Sequence, residues 1–424
     1  MFASGKYIWM ALGSAFVAGA CTTASPTMPR VAASPASVLE WNGVAQRVTI
    51  SVAKQYQTQS MIYIAMSQAA VYDAVAAIIG GYQPYALRVE RQPGASVDAA
   101  VATAAHGVLA AYFLDQRQAL DADLARSLAA VPDGAAKEAG RAIGRIAADT
   151  ILALRRDDGL EADIGFKVPP ASVGAWQLSA GTTPQTPWVS RLRPFMLQRP
   201  DQFRPGLPPD LASLTWADDF LEVKRLGGTT SPARTVAQTE TATFWSTNSV
   251  SQFNGAFGRM VADRHLDAMG AARLFAMGNM VGADALIACF DAKYQYVYWR
   301  PQHAIPRGST EFQNSTAGDS AWKPLLAVPN HPEYPAAHGC LTAAEATTLT
   351  VFVGSDRINA TLSSNLPKLS RPSRTYEQAD EMIGEMSNAR VWGGLHYRHS
   401  VDVGADLGRK VANWALARYF QAGN

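Results

Sequence analysis

The stretch Lys293-Tyr-Gln-Tyr-Val-Tyr-Trp-Arg300-Pro301 follows a long apolar run and carries two cations. The lysine and the arginine are seven residues apart, which is about two helical turns, so a continued helix would project both from one face. Like charges on one face repel each other unless they share an anion. By itself such a pair is more often an exposed lysine and an arginine at a helix end, so the interpretation depends on the rest of the chain.

Two segments further along the chain carry related chemistry. In His331-Pro-Glu-Tyr-Pro335-Ala-Ala-His338-Gly339, the prolines predict a turn that leads into a helix. The unpaired N–H groups of such a helix start, that of Ala337 among them, favour an anion, and His338 would stand beside it. In Arg390-Val-Trp-Gly-Gly-Leu-His396, the glycines allow a sharp turn that brings Arg390 and His396 to one point. Each segment alone is a weak signal, but together the three predict a single oxyanion site.

The rest of the sequence predicts an all-α fold. Apolar residues recur with helical spacing, we find no convincing run of alternating strand residues, and the absence of βαβ spacing argues against a Rossmann-like fold. We therefore predict one helical domain over residues 43–424. The predicted helices are Met61–Ile79, Val97–Leu114, Gly134–Arg155, Leu211–Leu226, Pro232–Ser246, Asp263–Lys293, Thr342–Val353, Thr375–Ala389 and Val401–Tyr419.

Two long proline-rich stretches interrupt the helical pattern, at residues 165–210 and at residues 300–335. The first contains interleaved aromatic residues, including Trp176, Trp188 and Phe195. A loop of this length inside a domain is often functional. It predicts either a lid over a pocket or a surface strap that packs its aromatic side chains on the helices.

The order and spacing of the three cationic segments resemble the signature shared by vanadium-dependent haloperoxidases and type-2 phosphatidic acid phosphatases. That signature has Lys, six residues and Arg-Pro, then Pro-Ser-Gly-His, then Arg, five residues and His. The residues that carry the resemblance are Lys293, Arg300-Pro301, Pro335, His338, Arg390 and His396. The flanking residues look more like the secreted haloperoxidase-related branch. The resemblance implies a helical bundle of the haloperoxidase and acid phosphatase type, with its anion-site motifs within residues 293–402 and proline-rich loops near the active site.

For a haloperoxidase, the resemblance implies that Lys293, Arg300 and Arg390 hold vanadate by its oxygens, together with the backbone N–H of Ala337. His396 would be the metal ligand, binding vanadium as a neutral imidazole, and His338 would be the acid–base catalyst. The substrates would then be hydrogen peroxide and a halide. Arg390, His338 and His396 are the residues for which we predict catalytic roles.

For a phosphatase, the same cations would hold a phosphate ester, and no cofactor would be needed. His396 would be the nucleophile, forming a phosphohistidine, and His338 would protonate the leaving oxygen. This mechanism needs a carboxylate to orient the nucleophilic histidine, and the phosphatase pattern has an Asp four residues after it. Here that position is Ser400, and the first acid is Asp402, which lowers the weight of this alternative.

The sequence departs from the signature at Ala336 and Ala337, where the family has Ser and Gly. The resemblance implies that the serine donates a hydroxyl hydrogen bond to the anion, which Ala336 cannot do. Losing one such donor weakens binding by roughly 1–3 kcal/mol. This departure leaves open a third hypothesis, a non-catalytic lipoprotein that binds an anion without turnover.

Other residues of the region receive smaller roles. We expect His303 to line the pocket, His399 to face either the pocket or solvent, and His331 to structure its turn. Glu333 is expected to pair with a cation or to cap the irregular segment. Trp299 and Trp392 are predicted core residues, whereas Asp291 and Glu345 are taken as ordinary helix acids, and Cys289 and Cys340 as either a disulfide or two buried thiols.

The N-terminus predicts an exported protein. Lys6 precedes a short apolar run, Tyr7 to Ala20, which is typical of a signal peptide over residues 1–20. Cys21 follows small residues, as in a bacterial lipobox, so the chain is predicted to be periplasmic or lipid-anchored, with a flexible tether over residues 21–42. No later segment is predicted to span a membrane. The balance of 37 basic and 35 acidic residues gives no general field for nucleic acid, and a homodimer is left open.

Overall fold

Thirteen α-helices and one two-stranded antiparallel sheet make up residues 33–308 and 315–423, the part of the chain that the computed structural model describes. The all-α prediction is therefore confirmed, apart from this small sheet. The elements are α1 Ala36–Gln46, α2 Gln57–Ile79, α3 Val97–Tyr112, α4 Arg117–Ala129, α5 Ala135–Leu154, α6 Leu214–Leu226, α7 Val236–Phe244, α8 Ser249–Asp263, α9 Ala268–Tyr296, α10 Pro301–Ala304, α11 Ala337–Val353, β1 Arg357–Ser363, β2 Ser373–Gln378, α12 Ala379–Trp392 and α13 Arg398–Leu416.

The predicted signal peptide and most of the predicted tether lie outside the described residues. The end of the tether, however, was placed too far along the chain. Residues 36–42 belong to α1, where Val38 and Trp41 are buried. The small polar residues that precede α1 hid this helix start in the sequence.

Each of the nine predicted helices corresponds to an observed one, with shifted ends. Helices α1, α4, α8 and the short α10 were missed, and α4 buries only Leu120 and Asp123. The absence of strands was also wrong, since β1 pairs with β2 and its Ile358, Ala360 and Leu362 are buried at alternate positions. This run is too short for its alternation to stand out. The predicted helix Thr375–Ala389 begins inside β2, and α12 begins at Ala379.

Helices α2 and α9 run through the hydrophobic core. Both are long and apolar enough to pass as membrane spans by length and composition, contrary to the sequence-based expectation. Their most apolar windows are 94% and 100% buried within the fold, as expected for core helices. Asp267 caps α9 by accepting a hydrogen bond from the N–H of Gly270 at 2.8 Å, and the left-handed conformation of Val297 ends the helix.

Helices α11 and α13 approach each other along three glycines, which we call the glycine seam (Gly339, Gly404 and Gly408). A Cβ on Gly408 would lie 2.1 Å from the carbonyl oxygen of Cys340, and one on Gly404 would lie 2.6 Å from that of Ala336. Gly339 meets the carbonyl of Val401 equally closely, at 2.6 Å. The two backbones are therefore in direct contact, next to the starts of both helices.

Residues 165–210 form a strap that is packed onto the helices. Trp176, Trp188 and Phe195 are buried, which confirms the prediction that the aromatic residues pack. Asp284 of α9 holds the strap by accepting hydrogen bonds from three successive backbone N–H groups at 2.6–2.9 Å, those of residues 195–197. Further along the same strap, the N–H of Gln185 donates to the carbonyl of Asn330 at 2.7 Å, and this fixes the strap beside the second cationic segment, which begins at His331.

Candidate active site

Lys293 lies in the last turn of α9, but Arg300 does not continue that helix. The helix ends at Tyr296, so the predicted single helical face for both cations is wrong. Both side chains nevertheless turn to the same loop. Buried Lys293 donates from Nζ to the carbonyls of Pro332 and Glu333, at 2.9 and 2.8 Å.

Arg300 joins two segments of the chain. Its Nε donates to the carbonyl of His331 at 2.8 Å, and its Nη1 donates to the carbonyl of Leu395 at 2.9 Å. The Nη2 lies 3.0 Å from Nδ1 of His331, so His331 structures this turn as predicted. Arg300 thereby positions the residue that follows Leu395, which is His396.

His396 is fixed by a buried carboxylate that comes from another part of the sequence. Its Nδ1 lies 2.7 Å from Oε1 of Glu333, and the same oxygen accepts a hydrogen bond from the N–H of Tyr397 at 3.2 Å. Because Nδ1 donates to the carboxylate, Nε2 carries the free lone pair. This Nε2 lies 3.5 Å from Nη1 of Arg300.

This arrangement corrects two expectations. The Glu333 carboxylate was expected to pair with a cation or to cap its segment, but it holds His396 instead. Asp402 was considered as a partner of His396, but its Oδ1 accepts from the hydroxyl of Ser387 at 3.4 Å. Sequence spacing could not identify Glu333, since it lies 63 residues before His396.

His338 is the second residue of α11, directly after the helix start at Ala337. Its ring lies near the backbone carbonyl of Trp245, which opposes the lowering of its pKa, and its Nε2 has no partner among the described residues. A ring that donated from Nδ1 to this carbonyl would present an unprotonated Nε2. The first N–H groups of α11 lack intrahelical acceptors, as at any helix start, and Ala336 provides no side-chain cap for them.

Arg390 contacts the carbonyl of Trp245, near which the ring of His338 also lies. Its Nη1 donates to that oxygen at 3.3 Å, and its buried Nε has no partner within the described part of the chain. Helix α12 extends to Trp392 and is followed by Gly393 and Gly394, the second with a φ of 73°. This is the glycine turn that the sequence predicts, and it brings Arg390 and His396 to one pocket.

A pocket of about 160 Å³ brings together Ala337, His338, Arg390 and His396, whereas Lys293 and Arg300 are not in its lining. A cavity of about 150 Å³ can hold a molecule of the size of benzene, so a tetrahedral oxyanion fits. The candidate site residues in its lining are His331, Ala337, His338, Arg390 and His396. Leu286, Phe290 and Leu341 form an apolar wall. The rest of the lining is a mostly polar rim that consists of Tyr56, Gln57, Thr58, Gln185, Ser249 and Pro329.

Burial dominates the electrostatics of the site. It lowers the pKa of Lys293 to about 8 and that of Arg300 to about 10, and together with the nearby Arg300 it lowers the pKa of Arg390 to about 9. Burial raises the pKa of Glu333 to about 7 against the opposing effect of the cations. Three crowded cations face a single carboxylate here, so an anion in the pocket would relieve their repulsion.

The same forces keep the histidines neutral. Burial, reinforced by the neighbouring cations, holds the pKa of His331, His338 and His396 well below 6.5. Neutral imidazoles with free Nε2 atoms can bind an electrophilic centre or accept a proton. Two groups in the pocket, Nε2 of His338 and Nε of Arg390, are buried without partners. Such a set of donors and lone pairs fits an oxyanion such as vanadate or phosphate.

Several other predicted residues lie outside the pocket. His303 is not in its lining and has Nε2 3.2 Å from the side-chain amide of Gln302, and His399 stacks on Tyr334 with ring centroids 6.2 Å apart. Trp299 is fully buried, as predicted, whereas Trp392 is only half-buried.

The remaining acids and thiols also have defined surroundings. Asp291 forms a bidentate ion pair with Arg204, at 2.6 and 2.7 Å. Glu345 is fully buried, and neither of its carboxyl oxygens has a partner among the described residues. Cys289 and Cys340 are buried free thiols, not a disulfide, and the thiol of Cys289 donates to the carbonyl of Pro335 at 3.5 Å.

Sequence reasoning missed most of the residues that line the pocket, Ser249 among them. It also missed the backbone carbonyl of Trp245, which accepts from Arg390 and which no residue pattern signals. Ser249 lies at the start of α8, a helix that was not predicted.

Comparisons with known proteins identify the fold that carries this site. Residues 273–423 match the sequence model of a family described as the VCPO second helical-bundle domain. No curated protein sequence matches the chain. The crystal structure of a bacterial vanadium-dependent iodoperoxidase is similar at a TM-score of 0.77 and 20% identity, over 93% of this chain and 99% of that one. The chain has the fold of the vanadium haloperoxidases.

Two structures of bacterial vanadium-dependent chloroperoxidase are also similar to this chain. The apo form gives a TM-score of 0.69 at 17% identity, over 85% of this chain and 93% of that one. The holo form gives 0.68 at 19% identity, over 84% and 90%. The matched domain of the family model contains all five predicted site residues, from Lys293 to His396.

Proposed function

We propose that this chain is a vanadium-dependent haloperoxidase-like enzyme that oxidises a halide with hydrogen peroxide, H2O2 + X⁻ + H⁺ → HOX + H2O. The observation that carries the proposal is the fixed tautomer of His396. Glu333 holds Nδ1 at 2.7 Å, so Nε2, which lies 3.5 Å from Nη1 of Arg300, carries the lone pair. His396 lines a pocket that also holds two unpaired groups, Nε2 of His338 and Nε of Arg390.

The residues divide into those that grip the anion and those that act on it. Arg390, the third N–H hydrogen of Lys293 and the remaining N–H groups of Arg300 would donate to vanadate oxygens, with the N–H of Ala337. His396 would ligate the vanadium through Nε2. Bound vanadate supplies a Lewis-acidic centre that activates peroxide towards halide.

His338 is placed to move protons. Burial keeps the pKa of its ring well below 6.5, and its Nε2 has no partner among the described residues, so Nε2 is free to accept a proton from hydrogen peroxide at neutral pH. The apolar wall formed by Leu286, Phe290 and Leu341 limits the water around it. This arrangement favours His338 as a base that deprotonates hydrogen peroxide over His338 as an acid that protonates an alkoxide leaving group.

One observation favours a phosphatase as the second candidate. The nucleophilic histidine of that mechanism needs a carboxylate partner, and Glu333 provides it even though Asp402 does not. A bound phosphate ester would raise the pKa of His338 and allow it to protonate the leaving oxygen. The same donors hold phosphate and vanadate, so only turnover separates the two functions.

The experiment compares the two reactions on one preparation. The purified protein is incubated with vanadate, hydrogen peroxide and iodide or bromide, and in parallel with a phosphomonoester without peroxide. We expect halide oxidation that depends on added vanadate. Phosphate release that vanadate inhibits would support the phosphatase instead, and vanadate binding without either reaction would support a non-catalytic anion-binding protein.

Matched variants connect the activity to the site. His396→Ala is expected to abolish halide oxidation and to weaken vanadate binding. His106→Ala is the control, because His106 lies outside the pocket and is bonded to Asp121 at 2.7 Å. Equal activity in both variants would refute the assignment of the site.

We also propose that the chain is exported and carries no nucleic-acid partner. The support is the sequence of residues 1–21 and the near balance of charge. Mass spectrometry of the mature N-terminus would distinguish a lipid-modified Cys21 from ordinary cleavage. Light scattering during gel filtration would test whether the protein is a homodimer.

A further inference from the structure

Ser249 is a buried hydroxyl in the pocket that none of the roles above uses. It is the first residue of α8, its exposed fraction is 1%, and it lines the pocket together with His338, Arg390 and His396. Its Oγ has no hydrogen-bond partner in residues 33–308 and 315–423. Buried hydroxyls are normally paired, so this one calls for a partner that the protein does not provide.

The helix start does not need this hydroxyl. Asn248 caps α8 by accepting from the N–H of Ser251 at 3.1 Å. The N–H of Ser249 itself donates to Oε1 of Gln57 at 3.1 Å. A serine in the first turn of a helix often bonds locally to the backbone, but both local tasks are done here by neighbouring side chains. The hydroxyl is therefore free to serve a ligand.

The surroundings favour a negatively charged acceptor for its proton. The groups that share the pocket are the guanidinium of Arg390, the neutral rings of His338 and His396, and the N–H end of α11. Ala336 and Ala337, which begin that helix, carry no hydroxyl. Ser249 comes from α8 instead, and among the described residues it is the serine in the pocket lining.

We propose that the Oγ–H of Ser249 donates a hydrogen bond to the tetrahedral oxyanion of the pocket and supplies the hydroxyl donor that Ala336 lacks. This inference rests on the proposed function, because it requires an oxyanion in the same site. It makes Ser249 an anion-binding residue supplied by α8, outside the three cationic segments. The shared chemistry covers vanadate and inorganic phosphate alike.

Calorimetric titration with vanadate and, separately, with inorganic phosphate tests the proposal without relying on activity. Ser249→Ala is expected to weaken the binding of both anions about tenfold, the size expected for one hydrogen bond to a charged acceptor. Ser251→Ala is the matched control on the same helix and is expected to bind like the wild type. Ala336→Ser in the Ser249→Ala background is expected to recover most of the lost affinity.

A thermal-unfolding measurement separates a binding role from a structural one. In anion-free buffer, Ser249→Ala is expected to unfold at or above the wild-type temperature, since it removes an unpaired buried hydroxyl. The rise in Tm on adding vanadate should be smaller in the variant. Wild-type affinity in Ser249→Ala would overturn the role of Ser249 alone, whereas a wild-type protein that binds neither anion would overturn the proposed function as well.

Discussion

The contact between Glu333 and His396 allows the sharpest test of the site. Two substitutions remove the same negative charge but differ in what they leave. Glu333→Gln keeps an oxygen that can accept from Nδ1 of His396 and from the N–H of Tyr397, which now share one carboxylate oxygen at 2.7 and 3.2 Å. Glu333→Ala leaves both donors buried without an acceptor.

Two effects oppose each other in these variants. Removing a negative charge beside Lys293 and Arg300 makes the pocket more positive and strengthens anion binding. Losing the partner of a ligating histidine weakens binding, typically 10- to 100-fold, and a buried hydrogen bond to a charged group contributes about 1.5–3 kcal/mol. In Glu333→Gln the effects largely offset each other, so we expect vanadate affinity within about tenfold of wild type. In Glu333→Ala orientation dominates, and we expect about a 100-fold loss.

The assay is equilibrium titration with vanadate, followed by calorimetry or by the vanadium NMR signal. Asp402→Asn serves as the control, because its carboxylate bonds to Ser387 and not to His396. The control should bind vanadate like the wild type. If Glu333→Ala bound vanadate as tightly as Glu333→Gln, charge alone would explain the affinity and the orienting role of Glu333 would be refuted.

Three further predictions concern stability. Arg390→Met removes the charge repulsion with Arg300, so the Tm of the variant in anion-free buffer should not fall. Its affinity for vanadate should drop more than about 100-fold. A large loss of Tm in scanning fluorimetry would contradict this prediction. The pKa of Asp219 is raised from 3.8 to about 7, first by burial and then by Glu222 and Asp402. As the pH rises, the unfolded chain releases this proton before the folded protein does, so the stability of the wild type falls between about pH 4 and pH 7. Asp219→Asn should therefore raise the free energy of unfolding by up to about 3 kcal/mol at pH 8 and by little at pH 4, as measured by urea unfolding. Burial likewise raises the pKa of Glu345, whose carboxyl group has no partner among the described residues, well above 4.5. Glu345→Met should therefore raise the Tm, and the increase should be larger at pH 8 than at pH 4. An equal change at both pH values would show that titration of Glu345 is not the cause.

Helical periodicity was enough to predict most of the fold, because the long core helices bury continuous apolar faces. Helix α9 is the clearest case, with nearly all of its residues buried from Ala268 to Tyr294. The β-hairpin and α4 were not predictable in the same way. The strands of the hairpin are short, and α4 buries only Leu120 and Asp123, too few residues for a recognisable apolar face.

The five site residues were predicted because their spacing is fixed by local structure, a helix end, a helix start and a glycine turn. The reason given for one pair was nonetheless wrong, since Arg300 meets Lys293 through the loop at residues 331–333 and not along a helix. Glu333 and Ser249 show what sequence spacing cannot provide. Their roles arise from contacts between distant segments, which only the folded arrangement brings together.

The glycine seam has a consequence for how far such a sequence can diverge. His338 lies next to Gly339 at the start of α11, and His396 lies just before α13, so the separation of the two histidines is set by direct backbone contact. Side chains elsewhere in the core can be exchanged without moving either ring, provided that the two backbones still touch. A fold shared at only 20% identity is then compatible with an unchanged spacing between the rings of His338 and His396. Random substitution should be tolerated least at the glycines of the seam, which are not in the pocket lining.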